Sequence, residues 1–270
     1  MRQAFNETKS SCGEEKGARS WKYCVTPGTG AHQDTVIYYF HGGGGNERNW
    51  IDPHNYTKEI RKTWSEKKFD TPTVVTVSFG GYWLLAAKNK QKPSGLYEVY
   101  RDEVMPKIEK TILPRPPKER WILGESMGGF NGGSFGLREP QLFTKMALVC
   151  PGVGIGGGLS KVQLDDYVKQ TGAHRWYAER IFEFGKTFFD TPEEAAAQSP
   201  LALLQNFDKK ANPQLKLFLS CGRKDEYGFF KSSENFVKTA QDKGLSVEWH
   251  PVDGGHCSLD TAALAAFLMN

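Results

Sequence analysis

The segment Gly124-Glu125-Ser126-Met127-Gly128 constrains the fold of this chain more than any other. It follows the short run Arg120-Trp121-Ile122-Leu123 and leads into a glycine-rich stretch that can open a helix. A strand that turns straight into a helix brings backbone against backbone, and glycines on both sides of the central residue are what so sharp a turn tolerates. Ser126 at its apex would be held out from the sheet. A hydroxyl is a weak nucleophile, however, and gains chemical meaning only if a base and an anion-stabilising site lie elsewhere in the chain.

Strand and helix signals alternate along the sequence. Residues 36–40, Val-Ile-Tyr-Tyr-Phe, are apolar throughout, as strands buried on both faces are. Residues 73–77 are β-branched and read as a central strand. Further strands are expected at 21–25 (an edge strand), 120–124, 146–150, 215–219 and 246–249. Helical spacing is expected over 55–67, 96–112, 232–243 and 259–268, with Gly244 stopping the third and Pro106 breaking or kinking the second. This rhythm predicts an α/β fold, a doubly wound and mostly parallel sheet with helices on both faces. Residues 1–19 form a polar arm, expected to be poorly ordered unless tied down, and 20–270 a single domain. Within it, 152–213 begins with Gly152, Gly154, Gly156, Gly157 and Gly158, shows no strand pattern and turns helical and aromatic. It reads as a helical insertion or cap at the carboxyl edge of the sheet, where open α/β folds bind ligands.

A serine nucleophile needs a base, and the base needs an acid to orient it. In a fold of this kind the chain order is serine, acid, histidine. Among His32, His41, His54, His174, His250 and His256, only the last two follow the late strands. His250 sits inside a strand pattern, facing solvent or packing. His256 follows Gly254-Gly255 in a loop, where the imidazole can swing over Ser126, and is the expected base. The segment Ser220-Cys221-Gly222-Arg223-Lys224-Asp225-Glu226 offers two acids; the shorter Asp225 is preferred, with Glu226 a competitor. Phe40-His41-Gly42-Gly43-Gly44-Gly45 ends the first buried strand, and its glycines let main-chain N–H groups face an incoming carbonyl. The oxyanion hole is assigned to the N–H groups of Gly43 and Met127, leaving His41 to anchor the loop. A phosphate loop is the competing reading, but no Gly-Lys-Ser/Thr follows. With 29 glycines in the chain, any one of these motifs could be accidental. Their order, each at a strand end, is what gives them weight.

Composition narrows the remaining classes. The chain has 270 residues, 39% hydrophobic and 24% charged, with a net charge of +4, ordinary for a globular protein. There is no run of about 18 apolar residues, so no membrane span is expected. The basic clusters 88–92 and 115–118 lack the interleaved aromatics of a nucleic-acid binder and read as solvated loops. No metal is expected, since no H-E-x-x-H or comparable ligand cluster exists. The five cysteines show no C-x-x-C pair. Cys12 and Cys24 could form a bridge across the polar arm, which would suit an exported protein; Cys150 and Cys221 end strands and read as simply buried. Met1-Arg2-Gln3 opens no apolar leader, yet a chain whose leader had been removed would begin in the same way.

With these residues in place, the sequence resembles the α/β-hydrolases of the esterase D type, a group with feruloyl and acetyl xylan esterases, S-formylglutathione hydrolases and mycolyltransferases. The likeness runs from about Trp21 to the C-terminus. It rests on residues 39–44, 124–129, 221–227 and 254–256. It implies the catalytic roles already given to Ser126, Asp225 and His256, and hydrolysis of a carboxylic ester without a cofactor. Aromatic residues that could wall the pocket are Trp50, Tyr82, Trp83, Trp176 and Tyr227, although each reads more readily as core or loop packing, the usual role of aromatics. Were most of them to line the cleft, an aromatic or carbohydrate-linked ester would fit. Acyl transfer, thioester or peptide cleavage by the same residues, and a non-catalytic binding protein, are the rival readings. The oligomeric state is not legible in the sequence.

Overall fold

The computed structural model describes residues 10–87, 95–154 and 161–270. The basic cluster 88–92, glycines 156–158 and residues 1–9 of the arm lie outside these described residues. Strands β1 (Ser11–Lys16), β2 (Ser20–Thr26), β3 (Thr35–Phe40), β4 (Thr73–Ser78), β5 (Glu119–Glu125), β6 (Lys145–Val149), β7 (Lys216–Gly222) and β8 (Ser246–Val252) form one sheet. It is eight-stranded, in the order β1-β2-β4-β3-β5-β6-β7-β8. The pairs β1–β2 and β2–β4 are antiparallel, and every other pair is parallel.

Side chains that alternate along the central strands build two apolar layers. Val36, Tyr38 and Phe40 face one layer with Ile122, Met146, Leu148, Leu217 and Leu219. Ile37 and Tyr39 face the other with Trp121, Leu123, Ala147, Val149 and Phe218. The second layer is closed by α1 (Thr57–Glu66), through Ile60 and Trp64, and by the last helix through Leu264 and Phe267. On the first layer lies a helical stretch made of α2 (Leu96–Val99) and α3 (Met105–Lys107), each followed by a wider π turn. The sequence led us to expect a break or kink at Pro106. The chain stays helical instead, because π turns at Tyr100–Val104 and Ile108–Ile112 flank the residue that lacks an N–H donor. The same layer holds α4 (Met127–Arg138), which follows β5 directly.

Four α-helices separate β6 from β7, with no strand between them among the described residues: α5 (Lys161–Thr171), α6 (Arg175–Phe188), α7 (Pro192–Gln198) and α8 (Pro200–Gln205). The Thr191 and Ser199 hydroxyls cap the last two by accepting N–H bonds from Glu194 and Ala202. Between β7 and β8 runs α9 (Phe229–Asp242), and α10 (Thr261–Phe267) closes the chain with Asp260 as its cap.

One expectation needs correction at the N-terminus. Residues 20–26 do not form the edge of the sheet, because the polar arm supplies a strand outside them. Cys12 faces Cys24 across that pairing, and the two are joined by a disulfide. The arm Ser-Cys-Gly-Glu-Glu-Lys carries no apolar alternation, since an outer strand buries little of either face. Cys150 is not simply buried either: it is bridged to Cys257. Cys221 is a free, buried thiol.

Candidate active site

Ser126 lies between the last residue of β5 and the first of α4, with φ 51° and ψ −114°. A side chain there is held in a sparsely populated backbone region, and the surroundings show how it is kept. Its N–H donates to the Val149 carbonyl at 2.9 Å, and its own carbonyl accepts from Gly152 N–H at 3.1 Å. A Cβ on Gly124 would run into the Gly128 carbonyl, and one on Gly128 into the carbonyls of Phe40 and His41. The glycines of this turn are there because three pieces of backbone meet at the serine.

His256 stands in the loop after β8, one residue before the Cys150–Cys257 bridge. Its Nε2 is 2.9 Å from Ser126 Oγ, and its Nδ1 is 2.7 Å from Asp225 Oδ2. With the carboxylate accepting from Nδ1–H, Nε2 is left to accept the serine proton. Asp225 is buried in the turn after β7, and its other oxygen accepts from the N–H groups of Tyr227 at 2.9 Å and Phe229 at 3.3 Å. Cys221 Sγ, 3.8 Å from Asp225 Oδ2, is pushed upward in pKa by burial and by that carboxylate, so it stays an S–H donor. Glu226, the competing acid, does not meet the ring. It accepts from the backbone N–H of His256 at 2.7 Å and so pins the loop that carries the imidazole.

The glycine loop after β3 wraps the other side of Ser126. Gly44 N–H donates to Gly81 O at 2.7 Å, and Gly45 N–H to Gly42 O at 3.1 Å. Among the described residues, the N–H groups of Gly43 and Met127 donate to no protein acceptor. His41 is buried beneath the loop. Trp83 Nε1–H donates to His41 Nε2 at 3.1 Å, so Nδ1 carries the proton and donates to Gly42 O at 2.8 Å. Burial lowers the pKa of this ring and keeps it neutral.

Sequence reasoning passed over Glu125, the variable residue of the turn. Its buried carboxyl accepts from the Tyr39 hydroxyl at 2.9 Å and from Gly42 N–H at 3.1 Å, tying the elbow to the glycine loop. Burial raises its pKa, against hydrogen bonds from Gly42, Tyr39, Asn49 and Asn55 that lower it. The available signal was a carboxylate ending a strand whose preceding residues are apolar: such a group must find partners.

The aromatic candidates separate. Trp50 is 2% exposed and packs on Tyr39 and Trp64, and Trp83 is 1% exposed beneath the glycine loop. Neither forms a cleft wall, a correction that follows from both being spent on the core. Tyr82 is 67% exposed and its ring lies against Gly43, where a Cβ would come within 3.0 Å. It also meets Phe184 of α6, the rings 6.0 Å apart. Tyr227 packs on the His256 ring at 4.4 Å and on Tyr177 of α6 at 4.8 Å. Trp176 is 51% exposed beside Tyr177. Phe184 and Tyr177, aromatics of the 152–213 segment not expected to wall the pocket, join α6 to Tyr82 and to Tyr227.

A family model named Esterase, described as "Putative esterase", matches residues 22–260. This chain belongs to that esterase family. It is a serine carboxylic ester hydrolase with the α/β-hydrolase fold, as its resemblance to esterase D-type enzymes implied. No curated protein sequence matches it. Among solved structures, the esterase is similar to a ferulic acid esterase at 16% identity, with 97% of each chain covered and a TM-score of 0.68. An S-formylglutathione hydrolase from Staphylococcus aureus matches at 15% identity, over 97% of this chain and 99% of that one, with a TM-score of 0.63. Carboxyl esterase 2 from Tuber melanosporum matches at 18% identity, over 99% and 87%, with a TM-score of 0.65. At these identities the likeness speaks for the shared fold. No helix among the described residues is long and apolar enough to cross a membrane.

Proposed function

We propose that this esterase cleaves its substrate through an acyl-enzyme on Ser126, with His256 as base, Asp225 as its orienting acid, and the N–H groups of Gly43 and Met127 as oxyanion hole. The observation that carries the reading is the continuous chain Ser126 Oγ, His256 Nε2, His256 Nδ1, Asp225 Oδ2, with contacts of 2.9 and 2.7 Å. As Oγ attacks the ester carbonyl, Nε2 takes its proton and the imidazolium is stabilised by Asp225. Negative charge on the carbonyl oxygen is met by main-chain donors, which need no reorganisation when the charge appears. The tetrahedral intermediate then collapses, the C–O bond breaks, and the alcohol leaves with the proton from Nε2. Water, deprotonated by the same nitrogen, attacks the acyl-enzyme and releases the acid and free Ser126.

The preferred substrate is an ester with an aromatic or carbohydrate-linked group. Support comes from the rings around the serine: Tyr82 and Phe184 beside the oxyanion loop, Tyr227 and Tyr177 beside His256. Ring faces beside the oxyanion loop and beside His256 suit a planar acyl group or a sugar ring.

Replacing Ser126 by Ala tests the mechanism. Turnover of p-nitrophenyl acetate should fall by at least about 10³-fold, and a fluorophosphonate probe should label the wild type at Ser126 and leave the variant unlabelled. A variant still turning over at the wild-type rate ends the proposal. Methyl ferulate, compared with p-nitrophenyl esters of graded length, tests the substrate class; a Tyr82→Ala protein should lose efficiency on the ferulate and little on the acetate.

A further inference from the structure

Cys257 directly follows the base, and its partner Cys150 lies 107 residues earlier in the chain. Cys150 sits between the two backbone groups that hold Ser126. Val149, just before it, accepts the Ser126 N–H; Gly152, two residues after it, donates to the Ser126 carbonyl. The residue itself is anchored, its N–H donating to Ser220 O at 2.7 Å. The bridge therefore runs from the residue beside the base to the residue beside the nucleophile's own supports, and no other covalent link joins those two loops.

The other ties on the base loop are noncovalent, the 2.7 Å contact of His256 Nδ1 with Asp225 Oδ2 and the packing of its ring on Tyr227 among them. His256 N–H reaches the flexible end of Glu226, Lys224 N–H donates to Gly254 O at 2.9 Å, and Ser258 N–H donates back within the loop to Gly255 O at 3.1 Å. The loop carries Gly254 and Gly255 and a left-handed Cys257 with φ 57°. Two adjacent glycines allow many backbone conformations, so something must select the one that keeps Nε2 within 2.9 Å of Ser126 Oγ. Displacing reacting groups by about an ångström is enough to cost on the order of 10²-fold in rate.

We propose that Cys150 and Cys257 are positioning residues: their disulfide sets His256 over Ser126, and reducing it disengages the base while the fold persists. The inference rests on Ser126 and His256 acting as described above. A dithiol supplies the chemistry, passing two electrons and two protons to the bridge; two cysteine thiols form and the reagent closes to its own cyclic disulfide. Activity is thereby tied to oxidising surroundings.

The Cys12–Cys24 bridge, at the far edge of the sheet, permits a clean test. In a Cys12→Ala/Cys24→Ala protein the only remaining disulfide among the described residues is Cys150–Cys257. Oxidised, it should match the wild-type kcat on p-nitrophenyl acetate. After dithiol treatment, kcat should fall between about 10- and 100-fold with KM within about twofold, near-UV circular dichroism retained, and activity regained on reoxidation. A Cys150→Ala/Cys257→Ala protein should show the same low kcat and no response to dithiol. Unchanged kcat in the reduced or Ala-substituted protein, well below its melting temperature, overturns the proposal and leaves the bridge a stabilising link alone. If Cys150→Ala/Cys257→Ala does not fold, the dithiol arm decides. Fluorophosphonate labelling separates the two layers of argument: an oxidised wild type unlabelled at Ser126 refutes the mechanism itself. Labelling that is normal and just as fast after reduction refutes only the positioning role.

Discussion

Glu125 offers the sharpest test of how the site is held, because it lies in the elbow and touches the glycine loop without facing the substrate. In a Glu125→Ala protein, the Tyr39 hydroxyl and Gly42 N–H lose the oxygen they share at 2.9 and 3.1 Å. Each polar group left unpaired in the interior costs about 1–3 kcal/mol, giving roughly 2–6 kcal/mol for the two. Part is offset, since burial already disfavours the Glu125 carboxylate and raises its pKa. Catalysis should suffer separately. Gly42 precedes the proposed oxyanion donor Gly43, and deleting such a donor outright costs about 10²–10³ in kcat. A loop loosened rather than deleted should cost about 10- to 100-fold in kcat, with KM changed little. Glu125→Gln keeps a carbonyl oxygen for both donors and should stay within about threefold of wild type. The assay is kcat on p-nitrophenyl acetate per site titrated by fluorophosphonate, beside urea unfolding. Linkage adds a second readout. A carboxyl with a raised pKa binds its proton more tightly in the folded state, so its contribution makes stability fall as pH climbs from the ordinary value of 4.5 through the raised one. Glu125→Gln should remove that slope. A Glu125→Ala enzyme with wild-type kcat per labelled site, or a Gln variant as impaired as the Ala variant, would refute the reasoning.

Asp225→Asn should lower kcat by about 10³–10⁴-fold, whereas Glu226→Gln, which keeps an oxygen for the His256 N–H, should stay within about threefold; the reverse outcome in p-nitrophenyl acetate kinetics would exchange their roles. Ser126→Gly should melt higher than Ser126→Ala in calorimetry, because both lose the hydroxyl but glycine alone relieves a φ of 51°, a strain of about 1–3 kcal/mol. Lys145 is buried over the Trp121 ring at 3.6 Å, and burial holds its pKa down at about 8. The folded state sheds this proton earlier than the unfolded chain, so stability should rise with pH between about 8 and 10.5. Lys145→Met should raise stability at pH 7 by about 1–2 kcal/mol, allowing for the lost cation–π contact, and denaturant midpoints of the two proteins should converge above that window.

The parts of this esterase legible in the sequence are those whose signal is local. Val36 to Phe40 is apolar at every position because helices cover both faces of β3, and that alone marks a buried parallel strand. The Gly124–Gly128 turn is legible for the same reason: the crowding that demands glycine is written into five consecutive residues. β1 was missed because an outer strand needs only a backbone partner, which β2 provides and composition does not reveal. Pro106 misled because its cost depends on whether neighbouring turns can widen, a property of the packed helix and not of the residue. The pairing of Cys150 with Cys257 joins loops at the ends of β6 and β8, and nothing within either segment names the other. The tryptophans show the same limit. Trp50 and Tyr82 each follow a glycine-bearing loop after a strand, yet one fills the layer under β3 and the other stands in solvent. Their fates are decided by which surfaces α1 and α6 occupy.

The backbone itself points to the same place. Among the described residues, the non-glycine residues with positive φ are Lys68, Ser126, Cys150 and Cys257. Lys68 ends α1 in an ordinary left-handed stop; the other three cluster at the proposed nucleophile and base. Left-handed backbone on a residue with a Cβ survives only where the neighbourhood over-determines it. Ser126 is fixed by hydrogen bonds to Val149 and Gly152, Cys150 by its bond to Ser220, and Cys257 by a covalent link back to Cys150. These constraints form a closed circuit: Ser126 to β6, β6 to the His256 loop through sulfur, His256 to Ser126 through Nε2. A site held this way does not depend on the loops being rigid one by one. It depends on the circuit staying closed, and under the proposal above that ties the disulfide to how Ser126 is activated.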